Sequence, residues 1–551
     1  MDREVLLAEV LRHLAEGTAE VGHEMALVAA GEGDPAAHGL AALAGFWLGD
    51  FAEATAQAAA GLAAAQDDRA RACCLAAAVL AAAGDLDAPP PDRALLSRLL
   101  ADADEPGSRW WSAVRYVAAE AALVSARIRE AAALDAAGPP PGAAWEGHPF
   151  APLMWVCQAR IAAFSGRIEE AREVLGVISA AVVPGSRVAP VAGAVAVLVQ
   201  GNAGDADIGR ATAEILQHVP RRPRDFIDRG VLLLLSFGAI AGYDVASAAD
   251  LVFRAGADEK LSRCTLIDRA LAFETLLHAA LLAEDPDAVA VWLGTLAELA
   301  EHPITRPSVQ RARGRAALDA GDAGTAVELL TRSVESCLAE DRGVEAAEGQ
   351  ILLARARIQQ HDLGTASRTL RALVAGSDRT GHAAVRRAAG AVLAASGRRL
   401  PPVAGAGWDV LSEREAEVAR AVLAGLEVDQ IAARLFLSPS TVRAHVSRVL
   451  CAFGVATRVG LLAAVGGAGG AGAAGAAGAP AGARLSPRQA EVAEHVAAGR
   501  TNQQIAEALG ISVKGVEKHV GDVLLRWEAG SRFEIARIWW AGSAGSAGSA
   551  G

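Results

Sequence analysis

Lysine is almost missing from this chain, with three in 551 residues, at positions 260, 514 and 518. None stands in the Gly-x-x-x-x-Gly-Lys context that cradles nucleotide phosphates, so a P-loop is excluded. Aromatics are scarce too, at 4% of the chain. Much of the 52% hydrophobic content is alanine, which loses no side-chain entropy in a helix and fills sheet interiors poorly, so a mostly helical protein is expected. The six cysteines (Cys73, Cys74, Cys157, Cys264, Cys337 and Cys451) show no C-x-x-C spacing. That argues against a disulfide framework or a zinc site and for a reducing compartment. Adjacent Cys73 and Cys74 read as small core filler on an alanine-rich helix, with a redox pair as the other reading. The longest apolar run, 230–243, is too short to span a bilayer. The opening Met1-Asp2-Arg3-Glu4 starts an acidic amphipathic helix rather than a signal peptide. A soluble, cytoplasmic protein without a membrane partner is expected. With no Ser/His/Asp, metal or phosphate constellation in the sequence, neither enzyme activity nor a cofactor or metal is expected.

What is present is long enough for several domains. The net charge of −12 is unevenly spread. Residues 408–540 carry 14 Lys/Arg against 13 Asp/Glu, leaving 38 basic and 51 acidic groups for the rest. The acidity therefore belongs to the N-terminal bulk. Two breaks divide the chain: the Pro/Gly segment 401–407, which cannot continue a helix, and the Gly/Ala segment 466–483, which reads as a flexible tether. Its 18 residues would span roughly 24 Å on average and about 60 Å at full extension. The Ala-Gly-Ser tail 541–551 reads as disordered.

Residues 1–400 repeat one phrase: an apolar helix, a Gly/Asp turn, then a helix with alanine near its start. It appears at Gly49-Asp50-Phe51 with Ala54, at Gly166-Arg167-Ile168 with Ala171, and at Asp285-Pro286-Asp287-Ala288. The clearest copies, Asp322 to Ala326 and Asp362 to Ala366, lie forty residues apart. A small residue there lets paired helices approach while the turn reverses the chain. The region resembles degenerate tetratricopeptide-like repeats forming a helical solenoid; a plain helical bundle is the alternative. Proline clusters at 89–91 and 139–141 mark loops.

Residues 408–465 and 484–540 spell one plan twice. In the first, Ser412 with Glu415 forms a capping box, Gly425 stops the helix, and Val418, Val422 and Leu423 give it an apolar face. Ile431, Ala432 and Leu435 serve a short second helix; Ser438 caps a third, roughly 439–452, with Pro439 at its first position. In the second, Ser486 with Gln489 and Thr501 with Gln504 are capping boxes, Gly499 and Gly510 sit in turns, and Ser512 caps the third helix. The stretch from Ser438 to Val446 aligns with Ser512 to Val520 without a gap. A short third helix with polar residues at its start and an exposed arginine is what a major groove admits.

Both segments resemble the LuxR-type helix-turn-helix, a four-helix module, over about 110 of the 551 residues. His445 and His519 in the third helices, with Thr457-Arg458 and Ser531-Arg532 after them, set this resemblance apart from the related sigma-factor module. The resemblance implies that the third helix enters the major groove. Arg443, Ala444 and Ser447 then face bases in the first unit, and Glu517, Lys518 and Gly521 take those places in the second. Thr441 and Ser512 would hold phosphates, Lys514 lies beside them, and Asn502 and Gln503 match the polar start of helix two. Both units depart from the pattern. Glu427-Val428-Asp429 leaves the first without a good cap and puts acid near expected phosphates, while Gly515 and Gly521 weaken the third helix of the second. Plainer roles are expected for several residues: His445 and His519 as packed side chains, Glu413, Glu415 and Glu417 as a solvated face, and Trp539-Trp540 as closure of the second core.

Regulators of this kind with helical-repeat regions often carry an ATP-binding domain, which the missing P-loop excludes here. No alternating strand pattern precedes residue 400, so neither a receiver domain nor an α/β acyl-homoserine-lactone pocket is expected. The expected class is all-α: a tetratricopeptide-like solenoid followed by two small four-helix units. The expected function is sequence-specific regulation of transcription on double-stranded DNA. The helical region would sense a protein or peptide effector or mediate self-association as a homodimer, and RNA polymerase is a further partner. The alternative is a protein-interaction scaffold whose DNA-binding units have degenerated.

Overall fold

The computed structural model describes the chain except residues 1, 104–107, 137–144, 184, 206–207, 257, 397–407, 409–410, 412, 456, 468–484 and 547–551. Ser412, the 401–407 segment, most of the Gly/Ala segment and the 139–141 prolines lie outside that description. Among the described residues every regular element is a helix, so the protein is all-α. Two compact units divide it, Met1–Arg399 and Leu400–Gly551. No described helix is long and apolar enough to cross a membrane.

The repeated phrase has a direct structural cause in the first unit. Asp50, Asp322 and Asp362 each leave the helical region and accept the backbone N–H three residues on, at 3.2, 3.0 and 3.1 Å. The alanines that follow, Ala54, Ala171, Ala326 and Ala366, are all buried. Their small volume lets the incoming helix close on the outgoing one. At Gly49 and Gly166 the chain takes φ of 82° and 78°, a left-handed turn that a Cβ would disfavour. Prolines 89–91 lie in a loop between Asp68–Ala81 and Arg93–Ala101. Cys73 and Cys74 are buried in the packed wall beside Gly39 and Gly61, and burial pushes the Cys74 thiol up to about 12. Both behave as core filler, inert as thiolates.

The few aromatics are gathered rather than spread. Trp47 packs on Phe226 (ring centroids 5.0 Å) and Phe150 (5.9 Å), Phe150 on Tyr116 (5.3 Å), and Phe46 on Phe226 (5.3 Å). Contacts also run beyond sequential neighbours, where a strict solenoid would have only neighbours. Helix Ala151–Phe164 meets Gly343–Gln359, and Ala189–Ala203 meets Ala383–Ala395. The seam is polar: Ser165 Oγ and Arg167 donate to Asp341 at 3.0 Å each, and His382 Nε2 lies 2.8 Å from Asn202 Oδ1. Gly343 allows this approach, since a Cβ there would collide with the Ser165 carbonyl. Burial lowers the His382 pKa to about 4, so that seam carries a neutral imidazole at pH 7. The first unit thus folds back on itself around a half-open cavity.

Candidate nucleic-acid interface

The C-terminal unit contains two sets of four helices. The first set is Glu413–Leu423, Val428–Leu435, Pro439–Ala452 and Arg458–Gly467. The second is Pro487–Ala497, Asn502–Leu509, Val513–Arg526 and Arg532–Ser546. The last helix runs past Trp540 through an Ala/Gly/Ser stretch where no regular structure is expected. Alanine favours the helical turn there, and the apolar residues before it anchor the helix. Ser438 and Ser512 stand 74 positions apart, and the cores follow that register. Val418, Val422, Ile431, Val442 and Val449 are buried in the first, as are Val492, Val496, Ile505, Val516 and Val523 in the second. Each set therefore has its own core. Trp539 packs on the second.

Local signals place the helix ends as the sequence suggests. Ser438 Oγ accepts the Thr441 N–H at 3.1 Å, and Ser512 Oγ accepts the Gly515 N–H at 3.1 Å. Both capping boxes of the second set are closed. Gly425, Gly499 and Gly510 take φ of 86°, 78° and 64°. Two local expectations fail. Helix Val428–Leu435 does have a cap: Gln430 Oε1 accepts the Glu427 N–H at 2.8 Å, and the Glu427 carboxylate takes Arg458 at 2.8 Å. That acid is thus partly neutralised within the fold. Glu415 does not belong to a solvated face either. It is buried and takes Arg448 of the third helix at 2.8 Å, with His445 Nδ1 3.8 Å away. In the second set the equivalent positions are Gln489 and Asp522, so this clamp on the third helix exists once.

The remaining candidates separate by surface. Arg443, Ala444 and Ser447 are exposed together on one face of Pro439–Ala452, and Glu517, Lys518 and Gly521 occupy the matching face of Val513–Arg526. Among the described residues none engages the Arg443 guanidinium. Lys514 and Ser512 are exposed at the start of that second face, and Thr441 lies half-buried with its Oγ1 2.7 Å from Ser438 Oγ. Gln503 is exposed and donates to Glu507 at 3.0 Å. Asn502 accepts from Arg532, which also donates to the Arg500 carbonyl at 2.5 Å. Arg458 repeats that brace in the first set by donating to the Leu426 carbonyl at 2.7 Å. Asn502 is therefore tied into the frame through its side-chain oxygen. His445 is buried and His519 half-buried, so both are packed.

Segments 409–464 and 483–539 each match the family profile described as bacterial regulatory proteins, luxR family. The C-terminal region carries LuxR-family helix-turn-helix sequence. HTH-type transcriptional regulators of Mycobacterium bovis and Mycobacterium tuberculosis are each 45% identical over 56 residues, 10% of this chain and 6% of theirs. The tetrathionate response regulatory protein of Salmonella typhimurium is 43% identical over 54 residues, 10% of this chain and 26% of its own. The chain covers 26% of that relative's length and 6% of each mycobacterial one, so the likeness concerns the module. A LuxR-type module implies binding to double-stranded DNA.

Two features of the LuxR-type units carry no signal in local sequence. Phe436, in the turn before the third helix, is 96% exposed at φ 55°, where the second unit has Gly510. A left-handed conformation is costly for a residue with a Cβ. Phe436→Gly is expected to raise stability by about 1 kcal/mol, read by urea unfolding; an unchanged or lower midpoint would show that the turn is unstrained. The second feature is a direct contact between the units. Helix Arg458–Gly467 lies against Pro487–Ala497 and Arg532–Ser546. The Arg458 guanidinium sits over the Phe533 ring at 5.4 Å. A Cβ at Gly425 would lie 3.6 Å from Phe533, and one at Gly499 would lie 3.0 Å from Gly460. Gly499 is the 74-residue equivalent of Gly425, and Phe533 is that of Val459, beside Gly460. The same patch meets itself from both sides, as in an isologous dimer interface.

Proposed function

We propose that this protein is a sequence-specific transcription regulator whose two LuxR-type units read DNA as a covalent pseudo-dimer. The observation that carries this reading is the pair of exposed third-helix faces on a self-complementary interface. An approximate two-fold turns the recognition helices toward half-sites in inverted orientation. The half-sites would be unequal, because Arg443 and Glu517 hold the same position with opposite charge. Arginine donates to guanine O6 and N7, whereas glutamate accepts from cytosine N4. The first unit of the fold, read as a tetratricopeptide-like array, would supply sensing or self-association. With the two units docked, the Gly/Ala segment 466–483 would need only to join them.

The test is a salt titration of the full chain on a footprint-selected site. The near-neutral charge of 408–540 predicts few phosphate contacts, so log K should fall against log salt with a slope of about −3 to −6, at ~0.9 per contact. A flat titration would overturn groove binding and favour the scaffold reading.

A further inference from the structure

The fold-back of the first unit lines a half-open cavity of about 790 Å³, within the size range of small-molecule sites. Most of its wall is apolar, with Phe164, Leu234, Phe237 and Leu271 among the lining residues. One stretch is different. Helices Leu266–Leu282, Arg306–Asp319 and Gly343–Gln359 bring Arg311, Arg315, Arg342 and Arg355 against Glu274, Glu345 and Glu348 on the same lining. The carboxylates there are all taken. Glu274 is gripped by Arg311 at 2.8 and 2.5 Å, Glu345 by Arg311 at 2.8 Å and Arg342 at 2.7 Å, and Glu348 by Arg315. Arg355, exposed on the open side of the cavity, has no such partner: among the described residues nothing hydrogen-bonds or ion-pairs with it. The Arg315 Nε is buried without an acceptor. Elsewhere on the lining Arg160 is matched by Glu120 at 2.6 Å, and exposed Arg387 donates to the Gly204 carbonyl at 3.3 Å. His278, beside Arg315 and Arg355, is driven by burial to about 4 and carries no charge at pH 7.

Arg355 is thus an unpaired cation on the open side of the cavity, and the large apolar wall beside it is costly to leave wet. One class of molecule relieves both. We propose that this cavity binds an amphiphilic carboxylic acid, its apolar chain along the Phe164–Phe237 wall and its carboxylate on Arg355 and Arg315. The inference rests on the sensing role proposed for this unit and names its ligand class as a small acidic amphiphile rather than a peptide. Walls on both sides of the fold-back contribute, with Asn202 from one and His382 from the other, so an occupant would brace the seam.

The experiment uses the full chain and measures calorimetric binding and melting temperature with dodecanoate, dodecanol and dodecyltrimethylammonium. Dodecanoate is expected to bind saturably at one site per chain and to raise the melting temperature. Dodecanol should bind at least about tenfold more weakly, and the ammonium compound not at all. Arg355→Gln should weaken dodecanoate binding about tenfold while leaving the ligand-free melting temperature unchanged. Ala391→Trp, which narrows the open side of the cavity without touching its charges, should weaken binding about tenfold. Equal binding of acid and alcohol, multiple non-saturating sites, or indifference to both substitutions would overturn the proposal. A chain that binds dodecanoate but no DNA keeps this inference and loses the regulator reading; the reverse result separates them the other way.

Discussion

On a site selected by the intact chain, either LuxR-type unit alone is expected to bind about 10²- to 10⁴-fold more weakly than residues 408–540 together. Each unit has its own core, so each can be compared as a folded domain. Joining them turns the second binding event into an intramolecular one, at an effective concentration near millimolar for a short connection. The docked interface goes further than a tether would. Arg458 over Phe533 and the Gly499–Gly460 approach set one relative orientation, so affinity should depend sharply on half-site spacing and on inversion. Phe533→Ser separates the two effects. Phe533 lies outside the second unit's buried core, so the unit should stay folded while the interface loosens. The variant should retain most of the tether's gain but tolerate half a helical turn of added spacing that the natural protein rejects. If the pair binds no better than the stronger single unit, tandem recognition is wrong and one unit is structural. Spacing tolerance in the unmodified chain would dismiss the docked geometry alone.

Arg443→Ala should cost about 1–3 kcal/mol on the preferred site, roughly 5- to 150-fold in affinity, and relax preference at one base pair. Arg443 is exposed on the third helix, and its helix is held from behind by the Glu415–Arg448 pair. The guanidinium is thus available, and its backbone is fixed. An equal loss on random DNA would reassign Arg443 to a phosphate. The matching position gives an internal control: Glu517→Arg should shift the second half-site toward the preference of the first. Binding-site selection with that variant reads the shift directly, and an unchanged consensus would remove position 517 from base recognition.

The sequence by itself determined whatever depends on residues within a turn or two of each other. The caps at Ser438, Ser486, Thr501 and Ser512, and with them the start of Pro439–Ala452, follow from side chains bonding backbone three residues away, and the glycine turns from that residue's freedom to take positive φ. The buried alanines after Asp50, Asp322 and Asp362 follow in the same way from a repeated local phrase. The exposed faces of the third helices could be read from periodicity because their opposite faces are apolar. Only the tertiary structure decided the fate of Glu415, which a local reading leaves on a solvated face and Arg448, 33 residues on, draws inside. The same holds for Glu427 with Arg458, for the self-meeting patch between the units, and for the unpaired Arg355 beside the apolar cavity. A charge's burial is set by which distant partner the fold brings within about 3 Å, and helical periodicity, however clear, carries no information about that partner.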